Sequence, residues 1–105
     1  MGAKMTREEE IRHLLRDIFI EERSRLTGYK VILFGSRARG NAGPRSDFDI
    51  GVIGANPMPL VDFYHLADRI DNLPTLYRID WVDLTKTSDG FHRNALTDSE
   101  VIYAP

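Results

Sequence analysis

The feature that most constrains the fold of this 105-residue chain is an apolar run that ends in a Gly-Ser pair and precedes two spaced aspartates. Residues 31–34 (Val-Ile-Leu-Phe) are continuously apolar and too few for a helix, so we predict a buried strand there. Gly35-Ser36 follows directly, and ten residues later comes Asp47-Phe48-Asp49. A Gly-Ser turn after a strand exposes backbone N–H groups that can hold phosphate oxygens.

The two aspartates lie at the start of a second predicted strand. Apolar residues alternate with polar or small ones over 47–52, which predicts one apolar and one polar face. Asp47 and Asp49 would then be about 6.7 Å apart along the strand, with both carboxylates on the polar face. Such hard oxygen ligands suit Mg²⁺ or Mn²⁺, which complete their coordination with water and substrate phosphates. The segment therefore predicts a site for a metal-bound nucleoside triphosphate.

The N-terminal region predicts a long amphipathic helix. Thr6 and Glu9 have the spacing of a capping box, and apolar residues then recur at helical intervals. These signals predict a helix over 6–27, with Gly28 as the residue that ends it.

Four further elements are expected after the second strand: a helix over 60–73, a strand over 76–84, a short helix over 88–97 and a strand over 101–103. The buried side of the helix over 60–73 is expected to comprise Leu60, Phe63, Tyr64, Ala67 and Ile70. Met58 stands between two prolines in the preceding loop, and we expect it to be exposed.

The spacing of the elements predicts the topology. The interval over 35–46 between the first two strands allows an antiparallel pair or a short crossover, whereas the helical connection after the second strand favours a parallel crossover. The predicted fold class is α/β (α+β), with a mixed sheet of about four strands and helices packed on it. We expect a single domain over 1–105, with residues 1–5 disordered.

Composition excludes several kinds of chemistry. The chain contains no cysteine, which excludes disulfides, thiolate zinc sites and cysteine nucleophiles. A formal net charge of −2 argues against a broad basic face, so no direct DNA binding is expected. The N-terminus lacks the apolar core of a signal peptide, and no apolar stretch approaches the ~20 residues that span a bilayer. A cytoplasmic location without membrane association is therefore expected.

Residues near the two aspartates indicate how a triphosphate could be held. The Ser36 hydroxyl and neighbouring N–H groups would hold the β- and γ-phosphates, and Arg37 and Arg39 would neutralise the departing pyrophosphate. A two-metal site needs a third acid. Asp80 and Asp83, on the third predicted strand, are the candidates, and strand alternation alone does not decide between them.

These motifs together resemble the signature of the polymerase-beta-like nucleotidyltransferase superfamily: Gly35-Ser36, ten residues, then Asp47-Phe48-Asp49. More narrowly, nearly the whole chain resembles a minimal nucleotidyltransferase, the short prokaryotic branch that often acts as antitoxin to a HEPN-domain ribonuclease. In that family the third carboxylate is the first acid of the segment that contains Asp80, so the resemblance favours Asp80 and keeps Asp83 in reserve. It implies that the catalytic and metal-binding set is intact.

The resemblance implies a reaction that depends on Mg²⁺ or Mn²⁺, in which AMP passes from ATP to a tyrosine of a partner HEPN-type toxin. Relatives that modify antibiotics or RNA carry extra domains for the acceptor, whereas this sequence stops at Pro105. An acceptor presented by a partner protein is therefore expected. Two alternatives stay open: a non-catalytic antitoxin that acts by complex formation, and a nucleotidyltransferase with a small-molecule or RNA acceptor.

Overall fold

Four strands form one mixed sheet in the computed structural model, which describes residues 5–40, 42–43, 46–86 and 98–105. The strands are β1 (Tyr29–Phe34), β2 (Phe48–Gly54), β3 (Ile79–Asp83) and β4 (Glu100–Tyr103). Their order is β3-β2-β1-β4; β1 is antiparallel to β2 and β4, and β2 is parallel to β3. The predicted fold class and the parallel relation between β2 and β3 are confirmed, and the open choice for β1 and β2 resolves to an antiparallel pair.

Three α-helices pack with the sheet: α1 (Arg7–Glu21), α2 (Gly35–Arg39) and α3 (Leu60–Asp71). Two short 3₁₀ helices, Arg23–Leu26 and Leu84–Lys86, complete the described elements. The capping box is present at the start of α1, where Glu9 N–H donates to Thr6 Oγ1 over 3.1 Å and Thr6 N–H donates to Glu9 Oε2 over 3.3 Å.

The single helix predicted over 6–27 is divided in the structure. α1 ends at Glu21, and the chain continues through Glu22 into the 3₁₀ helix Arg23–Leu26. The side chain of Glu22 is held by residues of α3, which fixes the break at this position. Gly28 has a φ of 82°, so it serves as the predicted turning residue, here between the 3₁₀ helix and β1.

The main core lies between one face of the sheet and the helices α1 and α3. A smaller cluster covers part of the opposite face and consists of Ile32, Phe34, Ile53 and Leu84. The predicted polar face of β2 is therefore polar only at Asp49, because Gly51 and Ile53 are buried under Leu84 and its neighbours. The Asp49 carboxylate is therefore the single one of β2 that stays partly exposed. It lies near the first residue of β2, next to the point where β1 leads into α2.

The buried side of α3 differs from the prediction. Leu60 and Tyr64 are 57% and 64% exposed and Leu66 is buried instead, whereas the predicted burial of Ile70 is confirmed. The helix is oriented by Phe63, whose ring stacks on Trp81 of β3 at a centroid distance of 5.4 Å. The apolar stripe of α3 was correctly recognised, but its angular position is set by this contact with the sheet.

Met58 was predicted to be exposed and is instead 2% exposed, within the main core. Its backbone N–H donates to Asp83 Oδ2 over 2.8 Å, which draws the loop against the sheet. The third strand is shorter than predicted, since β3 begins at Ile79 and Leu76 is fully exposed. The helix predicted over 88–97 lies outside the described residues, as do the first four of the five residues (1–5) predicted to be disordered.

Candidate active site

The predicted Gly-Ser turn is the first turn of α2, and its glycine touches the site directly. Phe34, the last residue of β1, pairs with Asp49 of β2, which brings Gly35 against the Asp49 carboxylate. Gly35 has a φ of 75°, and a Cβ at this position would overlap Asp49 Oδ2. Backbone conformation and close approach therefore both require glycine.

Asp49 and Asp80 are register partners in the parallel pair of β2 and β3, so their side chains lie on the same face of the sheet. Asp47 immediately precedes β2 and is half-buried. Burial raises the pKa of Asp49, and the negative charges of Asp80 and Asp47 raise it further, while the charge of Arg39 acts in the opposite direction. The three predicted acids therefore form one electrostatic group, with Asp49 at its centre.

Asp83, the alternative candidate for the third acid, does not lie with Asp47, Asp49 and Asp80. It pairs in register with Val52, whose side chain belongs to the main core, and only 7% of Asp83 is exposed. Its Oδ1 accepts a hydrogen bond from Thr85 N–H at 2.9 Å and its Oδ2 accepts one from Met58 N–H at 2.8 Å. Asp83 thus holds the loop at Met58 and the 3₁₀ helix Leu84–Lys86 against β3, and the geometry favours Asp80 beside Asp49.

Arg37 also departs from the sequence expectation, in which it would contact the departing pyrophosphate. Its side chain is only 4% exposed. Nε and Nη2 both donate to the Ser46 carbonyl, at 3.0 and 2.7 Å, and Nη1 donates to Glu8 Oε2 at 3.0 Å. The guanidinium carbon lies 4.2 Å from the centroid of the Phe48 ring. Arg37 is therefore a clamp on the residue before Asp47 rather than a free phosphate ligand.

Two other cations interact with the carboxylates. Arg39 is exposed at the end of α2, and its charge lowers the pKa of Asp49. Arg78 Nε lies 3.2 Å from Asp80 Oδ1, and the Arg78 side chain is mostly exposed. Sequence reasoning missed Arg78, although its position two residues before Asp80 was a usable signal. Ser36, half-buried in the first turn of α2, lies where the sequence placed it, next to Gly35.

The clamp on Ser46 is part of a longer series of ion pairs that the sequence did not reveal. Glu8 of α1 accepts from Arg37 through Oε2 and from Arg12 Nη1 through Oε1, the latter at 2.7 Å. Arg12 Nε in turn donates to Glu100 of β4 at 2.9 Å. The pair of Glu8 and Arg12 has the local i,i+4 spacing of a helix, but the pairs Arg37–Glu8 and Arg12–Glu100 join residues far apart in sequence, so no local pattern could have predicted them.

The carboxylates fit a divalent ion that arrives with its nucleotide. Within the described ranges, no three acidic or histidine side chains are gathered closely enough to enclose a metal ion. Mg²⁺ commonly binds through one or two carboxylates and takes its remaining ligands from substrate phosphates and water. Burial is the main cause that raises the pKa of Asp49, and a bound cation would relieve the second cause, which is repulsion by Asp80 and Asp47. The residues present therefore suit Mg²⁺ or Mn²⁺ without a complete protein cage.

In this mixed sheet, a helix that starts at Gly35-Ser36 lies against the carboxylates of two paired strands. This arrangement is typical of the nucleotidyltransferase class. The chain belongs to the family described as Polymerase beta, Nucleotidyltransferase, whose sequence profile matches residues 23–105. A Methanocaldococcus jannaschii protein assigned as a protein adenylyltransferase is 30% identical over 107 residues, which cover 94% of this chain and 100% of that protein.

Two solved structures show the same fold at low sequence identity. One is a toxin–antitoxin complex with AMP-PNP, with a TM-score of 0.67 and 21% identity over 90% of this chain and 73% of the matched chain. The other is a tri-AMPylated HEPN toxin of Shewanella oneidensis in complex with its MNT antitoxin, with a TM-score of 0.60, the same identity and the same coverage. The resemblance found in the sequence is thereby confirmed at the level of family and fold.

Proposed function

We propose that this nucleotidyltransferase transfers AMP from ATP to a tyrosine hydroxyl of a partner HEPN-type toxin, and so acts as an antitoxin in the cytoplasm. The observation that supports the proposal is the position of Asp49: it lies against Gly35 at the start of α2 and is the register partner of Asp80 on β3. The assigned activity of the Methanocaldococcus jannaschii relative and the AMPylated toxin beside the Shewanella oneidensis neighbour support this choice of reaction. In the part of the chain that the structure describes, no helix is long and apolar enough to cross a membrane.

Each side chain has a distinct task in the proposed reaction. The Ser36 hydroxyl and the first N–H groups of α2, which have no acceptor within the helix, hold the β- and γ-phosphates. Arg39 balances the charge that develops on the pyrophosphate. Asp47, Asp49 and Asp80 would hold Mg²⁺, which when bound neutralises phosphate charge and favours ionisation of the acceptor hydroxyl.

The transfer forms a bond between the acceptor oxygen and the α-phosphorus and breaks the bond from that phosphorus to the bridging oxygen. Pyrophosphate leaves with the bonding electron pair. Asp80 takes up the proton of the acceptor hydroxyl, because its carboxylate is partly exposed on the edge strand β3. Arg37 stays a positioning residue, which holds the Ser46 carbonyl and thereby the backbone that carries Asp47.

The test is incubation of the chain with ATP, Mg²⁺ and a HEPN-type protein from the same genome, followed by intact mass measurement of that protein. We expect a mass increase of one AMP unit for each modified tyrosine, and no increase with the Asp49→Asn variant. A complex that forms but leaves the partner unmodified, with the Asp49→Asn variant still neutralising the toxin, would instead establish a non-catalytic antitoxin. Labelling of a small molecule or an RNA in place of the protein would identify the other alternative.

A further inference from the structure

A cavity of about 740 Å³ opens beside Asp47, and the site described above does not account for it. One wall is a face of α1 that presents Arg7, Ile11 and Leu14 at successive helical turns. The other wall is the segment 74–78, which leads into β3 and contains Tyr77. Because Asp47 belongs to the lining, whatever occupies the cavity lies next to the reacting centre.

The chemistry of the cavity is apolar inside and charged at its mouth. Ile11 is buried, and Leu14 and Tyr77 are half-buried, so they offer apolar surface that is partly open. The side chain of Arg7, in the first turn of α1, forms no hydrogen bond or ion pair with a described residue, although a cation is disfavoured at that end of a helix; Glu10 and Arg78 are the other charged residues at the mouth. Leu76, also in the lining, is fully exposed. Such a cavity suits an aromatic side chain with a carboxylate close by.

The cavity and α2 approach the carboxylates from different sides. α2 follows β1, and its first residue touches Asp49 across the β1–β2 pair. The cavity wall at 74–78 leads into β3, on the other side of β2, where Arg78 contacts Asp80. Phosphoryl transfer requires the attacking and leaving oxygens to lie roughly in line. If α2 holds the leaving phosphates, the attacking group must come from the β3 side.

We propose that this cavity is the acceptor subsite, which takes the tyrosine ring of the partner while Arg7 pairs with a carboxylate near that tyrosine. The phenol would rest on Leu14 and Tyr77, with its hydroxyl directed toward Asp47, the acid that lines the cavity. This inference rests on the proposed function, because it names where that reaction receives its acceptor. It makes Arg7 and Leu76 specificity residues for the protein substrate and gives them no part in nucleotide binding.

Steady-state kinetics of AMP transfer test the proposal through two exposed positions whose substitution leaves the core intact. For Arg7→Glu we expect the KM for the partner protein to rise about tenfold, because an attractive charge becomes repulsive. For Leu76→Ser we expect a rise of about threefold, since apolar contact with the partner is lost. In both variants the KM for ATP should stay within about twofold of the parent value. Arg23→Glu, beyond the far end of α1, is the matched charge control and should change neither constant.

The outcomes separate this inference from the proposed function. If the parent chain transfers AMP but Arg7→Glu and Leu76→Ser leave the KM for the partner unchanged, the acceptor subsite is wrong and the function stands. A rise in the KM for ATP alone would assign the cavity to the nucleotide and overturn the inference. If the parent chain transfers no AMP, partner affinity is measured by titration instead. Weaker binding by Arg7→Glu but not by Arg23→Glu then supports the docking site, and unchanged binding contradicts it.

Discussion

Gly35 shows at the scale of a single residue why the phosphate motif needs glycine. Substitution by alanine introduces a Cβ at a φ of 75° and drives it into Asp49 Oδ2. Gly28 is a matched control, because its φ is 82° and a Cβ there has no neighbour within 4 Å. We expect both Gly35→Ala and Gly28→Ala to lower the free energy of unfolding by about 1–2 kcal/mol through backbone strain alone.

Only Gly35→Ala should also lose catalysis, by at least about a hundredfold, because Asp49 must move to make room. Denaturant unfolding and the rate of AMP transfer, measured on the same preparations, check the two expectations separately. Equal transfer rates for the two folded variants would show that the contact with Asp49 is unimportant.

The assignment of the third acid gives a second test at this scale. Asp83→Asn weakens the hydrogen bonds that its carboxylate accepts from Met58 and Thr85, so we expect a loss of about 1–2 kcal/mol of stability with transfer retained. Asp80→Asn should leave stability close to the parent value and abolish transfer. Thermal unfolding and the transfer assay are the measurements. The opposite pattern would move the third carboxylate to Asp83.

Steady-state kinetics distinguish a positioning role of Arg37 from direct contact with the nucleotide phosphates. Arg37→Lys keeps the positive charge but loses the paired hydrogen bonds to the Ser46 carbonyl. Because the backbone before Asp47 is then less firmly held, we expect kcat to fall about tenfold or more, with the KM for ATP little changed. A large rise in the KM for ATP at constant kcat would show that Arg37 touches the nucleotide.

At the scale of elements, Glu22 ties the end of α1 to α3. Its Oε2 lies 2.8 Å from His65 Nε2 and accepts from Arg69 Nη1 at 2.7 Å. The hydrogen bond to His65 is the main cause that lowers the pKa of Glu22, with Arg69 and Arg25 acting in the same direction and burial opposing them. The folded state therefore favours the ionised carboxylate.

A lowered pKa in the folded state adds stability above the ordinary glutamate pKa of about 4.3, and this stability is lost as the pH falls through the folded-state value. Between neutral pH and that acid range, the urea midpoint of the parent chain should thus fall more than that of Glu22→Gln. Urea titrations across the range provide the comparison. Parallel pH profiles for the two proteins would mean that Glu22 does not couple α1 to α3.

The elements themselves were largely accessible from the sequence, but their orientation was not. Capping signals and apolar spacing located α1, α3 and all four strands, because these patterns are local. The rotation of α3 depends on the stacking of Phe63 on Trp81, and the break at Glu22 depends on His65 and Arg69. Such contacts form only after distant segments meet, so periodicity alone placed Tyr64 on the wrong side.

For the molecule as a whole, the sequence alone indicates the part of the candidate site that lies in one contiguous segment. Gly35, Ser36, Asp47 and Asp49 follow from one segment and its spacing. The choice of Asp80 needed the family resemblance, and the register of β2 with β3 now gives it a geometric basis. The task of Arg37 could not be predicted, because one of its partners, Glu8, lies on another element.

In the proposed reaction, the carboxylate group and α2 together transfer AMP, with the α-phosphate of ATP, to a protein hydroxyl. The most direct measurement compares ATP labelled at the α-phosphate with ATP labelled at the γ-phosphate, using Mg²⁺, the HEPN-type partner and either the parent chain or Asp49→Asn. We predict that the partner acquires label only from α-labelled ATP and only with the parent chain. Label from the γ-phosphate, or equal α-labelling with Asp49→Asn, would rule out AMP transfer at this carboxylate site.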